Sequence, residues 1–346
     1  FMKYFFTFAF TFVLMISAFS QSWVKVSAGT EFSIALKSDG TLWAWGANDF
    51  GQFGNGTRIG RTTPVRIGTD NDWQSVSAGS SYTMAIKTNG TLWGWGYNGN
   101  SRLGDGTTND RIFPAQVNAA TNWKSVCAGD VNTLAIKTDG TLWAWGYNGY
   151  AQFGDGTMNN RSIPYQIGTA TNWQSVDTGN LHTLAIKTNG TLWAWGTSTY
   201  GQVGDGTTAV RYSPVQIGTE TDWKSIAAGA NHSVALKTNG VLYTWGHNQW
   251  GQLGDYTNVS KSTPAPIFDQ VQNIGAGSDH TVGTTTYGNM FFTGINTFGQ
   301  LGDGDLMRPL CGRAAGHCRG RAGVAHAAGD AADAGPVPLR HQRAHV

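Results

Sequence analysis

The residues of this chain that could do chemistry recur at one interval. His182, His232 and His280 stand at nearly equal spacing, as a metal or acid–base set gathered by a repeating fold would. The same position elsewhere holds Phe32, Tyr82 and Asn132. Phe neither binds a metal nor moves a proton, so the histidines read as packed, hydrogen-bonded side chains. Asp105, Asp155, Asp205, Asp255 and Asp303, with Asn55 as a variant, sit mostly in Gly-Asp-Gly turns. Glycoside hydrolysis needs two carboxyl groups about 5 to 9.5 Å apart. One aspartate per repeat gives no reason for pairing, so these read as turn formers, with weak calcium binding as the lesser alternative. Arg61, Arg111, Arg161, Arg211 and Lys261 recur likewise and read as solvated side chains or inter-blade ion pairs. Cys127 stands where other copies carry Ser27, Ser77, Asp177 and Ala227, and reads as a tolerated small residue without the setting of a reactive thiol. Glycine runs such as Gly51-Gln52-Phe53-Gly54 lack the Lys-Ser/Thr ending of a phosphate loop. Cys311, His317, Cys318 and His326 match no zinc spacing. No catalytic residue, metal or cofactor is assigned.

What remains is a set of variable positions on an invariant frame. The first position after each Trp-Gly is Ala47, Tyr97, Tyr147, Thr197, His247 and, after Gly294, Ile295. Three residues on come Phe50, Asn100, Tyr150, Tyr200, Trp250 and Phe298. If these loops share one face they form an aromatic collar, and Tyr and Trp are favoured at binding hot spots. Tyr97, Tyr147, Tyr150, Tyr200, His247 and Trp250 are therefore the candidate partner-binding residues, for an unidentified protein or glycan. Blade-to-blade packing is the competing reading of the same rings.

The frame is a tandem repeat. Trp23, Trp73, Trp123, Trp173 and Trp223 are fifty residues apart, and so are Trp45, Trp95, Trp145, Trp195 and Trp245. Each of the latter precedes a glycine, Gly46, Gly96, Gly146, Gly196 or Gly246. Within a copy the pattern is that of strands: Thr183-Leu184-Ala185-Ile186-Lys187, then Asn189-Gly190, then Thr191-Leu192-Trp193-Ala194-Trp195. Asn-Gly or Asp-Gly between alternating runs predicts a hairpin with positive φ at both turn residues. The Ala-Gly pairs at 28, 78, 128 and 228 suit close backbone approach. A proline at 64, 114, 164, 214 and 264 suits the start of an outer fourth strand. A single sheet of this kind cannot bury both faces, whereas sheets arranged radially can. The fold class is thus all-β, a β-propeller of four-stranded antiparallel blades over residues 21–304, with five full repeats and part of a sixth. Each buried Trp contributes up to about 4–6 kcal/mol.

Ala228-Gly229-Ala230-Asn231-His232-Ser233, Asn239-Gly240, Trp245-Gly246-His247-Asn248 and Gly251-Gln252-Leu253-Gly254 together resemble the repeat of the regulator of chromosome condensation. The resemblance covers residues 23 to 304 and implies a seven-bladed propeller of a secreted, bacterial-type member. It also implies two functions. Some secreted members bind and inhibit enzymes such as β-lactamases, while the namesake catalyses guanine-nucleotide exchange on a small GTPase. Exchange relies on an inserted wedge, and the fifty-residue spacing leaves no room for one up to Trp223.

Charged residues are only 13% of the chain and the net charge is +2. Without a basic cluster, nucleic-acid binding is not expected. Met2–Ser20 carries Lys3, an apolar run and small residues before Gln21. Residues 1–20 therefore read as a signal peptide, giving a secreted or cell-surface protein without a membrane span after its removal. Residues 305–346 contain ten alanines and six arginines but no Lys, Asn, Thr, Ser, Phe, Tyr or Trp. They read as an aberrant or disordered tail from a frameshift or a chimeric join. The function expected from the sequence is a secreted, non-enzymatic interaction module. The alternatives are a nucleotide-exchange factor, a polysaccharide-acting propeller enzyme and a plain structural repeat.

Overall fold

A computed structural model describes residues 22–297 and 301. The expected signal segment, the tail, Phe298 and Asp303 lie outside the described residues. The first sheet runs in the order β1 (Trp23–Ala28), β2 (Phe32–Lys37), β3 (Leu42–Gly46) and β4 (Arg61–Arg66), all antiparallel. Four more four-stranded sheets repeat it, beginning at Trp73, Trp123, Trp173 and Trp223. A sixth holds Val271–Ala276, His280–Thr285 and Met290–Gly294. Among the described residues the result is a propeller of six blades. The sequence suggested five copies and a fragment, because the sixth has lost its tryptophans. Its strands survive on β-branched and aromatic residues such as Val282, Thr284 and Phe292.

Two local expectations are corrected. The hairpin turns hold three residues rather than two, with only the glycine at positive φ, as at Gly40 (φ 77°). Asp39 instead accepts hydrogen bonds from the Thr41 amide and hydroxyl, and Thr41 in turn accepts from Trp43 Nε1. The prolines do not start the outer strands. Pro64 lies within β4 where the register slips between Ala44–Val65 and Gly46–Arg61, so no ladder N–H is lost.

First strands pack side by side from blade to blade and so line the axis. The core lies between blades. Phe32, Ile34, Leu42, Ala44 and Phe53 of the first face Trp73, Val76, Ala85 and Trp95 of the second, and the pattern repeats around the ring. Trp73 meets Trp93 edge to face at 6.1 Å and Trp95 at a tilt at 5.7 Å. Lys87 Nζ sits 4.9 and 5.0 Å from the rings of Trp73 and Trp93, and Lys137 and Lys187 repeat that cage.

Each interface also carries a polar bolt. The carbonyl of Gln52 accepts from Trp95 Nε1 (2.9 Å) and Thr83 Oγ1 (2.8 Å) of the following blade. Arg102, Gln152 and Gln202 do the same for Trp145 and Thr133, Trp195 and Thr183, and Trp245 and Ser233. Here lies the reason for a tryptophan before each glycine. Its ring fills the interface while its N–H satisfies a buried carbonyl that water cannot reach.

Candidate functional site

After each Trp-Gly the chain makes a long loop before the outer strand, organised by one buried polar residue, an asparagine in four blades and Ser198 in the fourth. Asn98 Nδ2 donates to Asp105 Oδ1 (3.0 Å) and to the Thr107 carbonyl (3.1 Å), while its Oδ1 accepts from the Leu103 amide (3.0 Å). Asn48, Asn148 and Asn248 repeat this. Sequence reasoning passed over these residues, although their recurrence two positions after the glycine was visible. The turn aspartates fit the same scheme. Asp105 Oδ1 accepts from the amide and hydroxyl of Thr107, and Oδ2 from Arg111 Nε (2.9 Å). Four of the five recurrent basic residues therefore pair within their own blade, as Arg111–Asp105, Arg161–Asp155, Arg211–Asp205 and Lys261–Asp255, while Arg61, whose copy carries Asn55 instead of aspartate, is exposed.

These loops carry the candidate residues and share one end of the propeller with the turns joining first and second strands. Ala47 N donates to Glu31 O, and Tyr97, Tyr147, Thr197 and His247 repeat that link. Phe50 reaches Tyr97 of the next blade with ring centroids 4.8 Å apart. Tyr200 reaches His247 of the next blade at 4.4 Å. Tyr147 and Tyr150 meet within one blade at 6.1 Å. Phe50, Tyr150 and Tyr200 remain exposed, while Tyr97, Tyr147, His247 and Trp250 are half-buried. Thr197 is buried and Asn100 is exposed at positive φ, so the rings form separate groups rather than an unbroken collar. The Arg102 guanidinium lies 4.5 Å over Tyr97, fixed by a 2.8 Å hydrogen bond to the Asp130 carbonyl. His247 Nδ1 lies 3.0 Å from Gln252 Nε2, which also donates to Asp279 Oδ1 at 3.2 Å.

The other candidates for chemistry are structural. His182 Nε2 lies 2.9 Å from Ser233 Oγ, and His232 Nε2 lies 3.0 Å from Thr281 Oγ1. Each imidazole thus spans to the next blade, as Tyr82 OH does to the Asn132 carbonyl at 2.7 Å. Burial pushes His182 down to about 4 and, helped by neighbouring histidines, His232 to about 3. Cys127 is more than a tolerated small residue. Its thiol donates to Asp177 Oδ1 (2.9 Å), while Asp177 Oδ2 accepts from the Ala228 amide (2.8 Å). Ser27 and Ser77 make the equivalent link to Ala78 and Ala128. Burial, then Asp177, push the Cys127 thiol well above its ordinary range, the opposite of activation. Among the described residues no three His, Cys, Asp or Glu side chains gather as a metal site, and no helix is long and apolar enough to cross a membrane.

Antiparallel sheets bolted face to face around an axis, with variable loops at one end, define a tandem-repeat β-propeller, a rigid carrier for surface loops. The RCC1-like domain matches residues 14–220, and the regulator of chromosome condensation (RCC1) repeat matches 223–252 and 239–283. The chain belongs to the RCC1-type repeat family. Human WBSCR16 superposes with a TM-score of 0.74 at 21% identity, covering 84% of this chain and 80% of that one. Prp20p of Saccharomyces cerevisiae, described with its binding to Gsp1p and histones, superposes with a TM-score of 0.67 at 22% identity, covering 75% and 67%. The ultraviolet-B receptor UVR8 of Arabidopsis thaliana is 38% identical over 58 residues, 16% of this chain and 13% of that protein, so the match spans about an eighth of that relative.

Proposed function

We propose that this protein is a secreted, non-enzymatic interaction module that grips a protein partner with its loop-bearing end. The observation that carries the reading is the grouping of Phe50–Tyr97, Tyr147–Tyr150 and Tyr200–His247 on one end, where rigid bolted blades hold partly exposed rings. Aromatic anchors on a preorganised frame bind at low entropic cost. Prp20p, of the same fold, is described with protein partners, which favours protein over glycan. Secretion rests on the charged start and apolar run of Met2–Ser20.

The test is a screen of the source organism's extracellular proteins against the purified chain, followed by the Tyr97→Ala, Tyr147→Ala, Trp250→Ala triple variant. A partner that binds the parent and loses at least tenfold affinity for the folded variant supports the reading. Equal binding by both would move the site elsewhere. Processing after Ser20 and export of the chain test the secretion.

A further inference from the structure

The lysine cages stand at the end of the propeller opposite the Trp-Gly loops, where each second strand finishes, and only some of them are closed by acid. Lys87 meets Asp70 at 2.7 Å and Asp72 at 3.0 Å, both from the loop that enters its own blade. Lys237 meets Asp222 at 3.1 Å and Glu220 at 4.0 Å from the equivalent loop. At Lys137 the same two positions hold Ala120 and Asn122, and at Lys187 they hold Ala170 and Asn172. Among the described residues neither Lys137 nor Lys187 forms an ion pair with a carboxylate.

The ammonium groups sit accordingly. Nζ of Lys137 and of Lys187 lies 4.0 Å from the ring of Trp143 or Trp193. Nζ of Lys87 and of Lys237, drawn toward their acids, stands 5.0 Å from Trp93 and 5.3 Å from Tyr243. An ammonium without a carboxylate settles on the face of the ring instead. Burial works against the Lys87 ammonium, but Asp70 and Asp72 outweigh it and raise its pKa. Burial lowers that of Lys187, with no acid to oppose it.

The open cages can be reached from outside. The acids that close the other two lie half in solvent, with the Asp70 and Glu220 side chains 50% and 49% exposed. A carboxylate arriving from solvent can take the space that alanine leaves at 120 and 170. Lys137 and Lys187 are half-buried on adjacent blades, and Lys124 is exposed beside Lys137. Asp139, in the turn after Lys137, accepts instead from the Thr141 amide and hydroxyl at 3.0 and 2.6 Å. The turn after Lys187 carries the neutral Asn189.

We infer that Lys137 and Lys187 form a docking site for an acidic segment of a partner protein, which brings the carboxylates these two cages lack. The closed cages show what such a segment must carry: Asp-Asn-Asp at 70–72 and Glu-Thr-Asp at 220–222, two acids one residue apart. One exposed ion pair is weak, so the site works by engaging both cages with one segment. Two recessed ammonium groups and Lys124 are far fewer than the phosphate contacts of a nucleic-acid binder. The aromatic loops lie at the other end, so the two surfaces can be occupied together.

The probe is a fluorescein-labelled peptide of two Glu-Thr-Asp units on a flexible Gly-Ser linker, titrated into the full chain at low ionic strength and followed by anisotropy. Saturable one-to-one binding that weakens with added salt is expected, and none with Gln-Thr-Asn units. Lys187→Gln should weaken binding at least about fivefold. That change also alters the cage, so a second variant adds groups rather than removing them. Ala170→Asp combined with Asn172→Asp gives Lys187 the acids that Lys87 has, and should weaken binding as much with the fold intact. Lys261→Gln at the loop end, and the Tyr97→Ala, Tyr147→Ala, Trp250→Ala variant, should bind the peptide like the parent. Undiminished binding by the Ala170→Asp, Asn172→Asp variant would overturn the proposal. So would the lack of saturable binding, loss of binding in the loop variant, or tighter binding of an oligothymidylate that depends on the same two lysines.

Discussion

The two-donor bolt predicts a coupling that a simple sum of contacts would miss. Between the third and fourth blades the Gln152 carbonyl accepts from Thr183 Oγ1 (2.8 Å) and Trp195 Nε1 (2.8 Å), both wholly buried. Thr183→Val removes one donor with little change of shape and should cost about 1–2 kcal/mol. Trp195→Phe removes the other and leaves a small cavity, so about 2–3 kcal/mol is expected. Either single variant leaves the carbonyl one donor. The double variant leaves it none, in a site without water, and adds a desolvation penalty of about 1–3 kcal/mol. The two changes should therefore exceed additivity by at least about 1 kcal/mol.

Urea unfolding, followed by far-ultraviolet circular dichroism and by tryptophan fluorescence, measures the cycle. Coincident transitions and an unchanged denaturant slope are the conditions for reading midpoints as free energies. The control pairs Trp195→Phe with Thr83→Val, which breaks a bolt at another interface and should add within about 0.5 kcal/mol. A coupling no larger than the control's would refute the idea that one carbonyl depends on both donors.

Acid should weaken the propeller through its histidines. His182 titrates near 4 and His232 near 3 when folded, below their unfolded value, so the unfolded chain binds more protons as pH falls from about 6.5. The stability they contribute is full above about pH 6.5 and declines by up to about 1.4 kcal/mol per pH unit for each histidine below it. The His182→Asn, His232→Asn variant should flatten that slope in pH-dependent unfolding. Gly54→Ala places a methyl 2.7 Å from Trp95 Nε1 at φ +76° and should cost more than 2 kcal/mol, whereas Gly68→Ala, with open space at φ +59°, should cost only about 1 kcal/mol by thermal denaturation. Asp105→Ala should destabilise by about 1–2 kcal/mol, because it removes the acceptor of several turn hydrogen bonds, and Arg111→Ala by less than about 1 kcal/mol, since that side chain is partly exposed to solvent, which screens its ion pair. The Cys127 thiol should resist a thiol reagent in the native protein and react on unfolding, and rapid native reaction would contradict its burial beside Asp177.

Whether a feature could be read from the sequence depended on whether it repeats. Trp73, Trp95 and Val76 or their equivalents serve the same contact in the second to fifth blades, so their spacing alone indicates the sheets and the radial packing. The asparagine of Asn98, replaced once by Ser198, and the Gln52 carbonyl recur too, but their partners include backbone atoms, and for Gln52 a ring forty-three residues away. No residue pattern names such a partner. The sixth blade was legible only as a fragment, because hydrogen-bonded strands tolerate the loss of tryptophans that the pattern search relied on. The loop rings show the converse. Their variability marked them as candidates, but pairing Phe50 with Tyr97 and Tyr200 with His247 depends on how far one blade is rotated against the next, and spacing along a chain does not encode that rotation.

The same division bears on how a partner would be selected. Positions identical in every blade are committed to bolts and cores, and altering one disturbs two blades at once. The loop positions after Trp-Gly are held from below by the buried asparagine through its own backbone partners, not through the side chains that vary. Asn100 can thus stand in place of a ring without unfastening the loop that Asn98 holds. A surface whose side chains are mechanically independent of its frame can change specificity one residue at a time. It follows that substitutions at Tyr150 or Tyr200 should alter binding with stability almost unchanged, whereas Asn148→Ala should loosen the loop and lower both together.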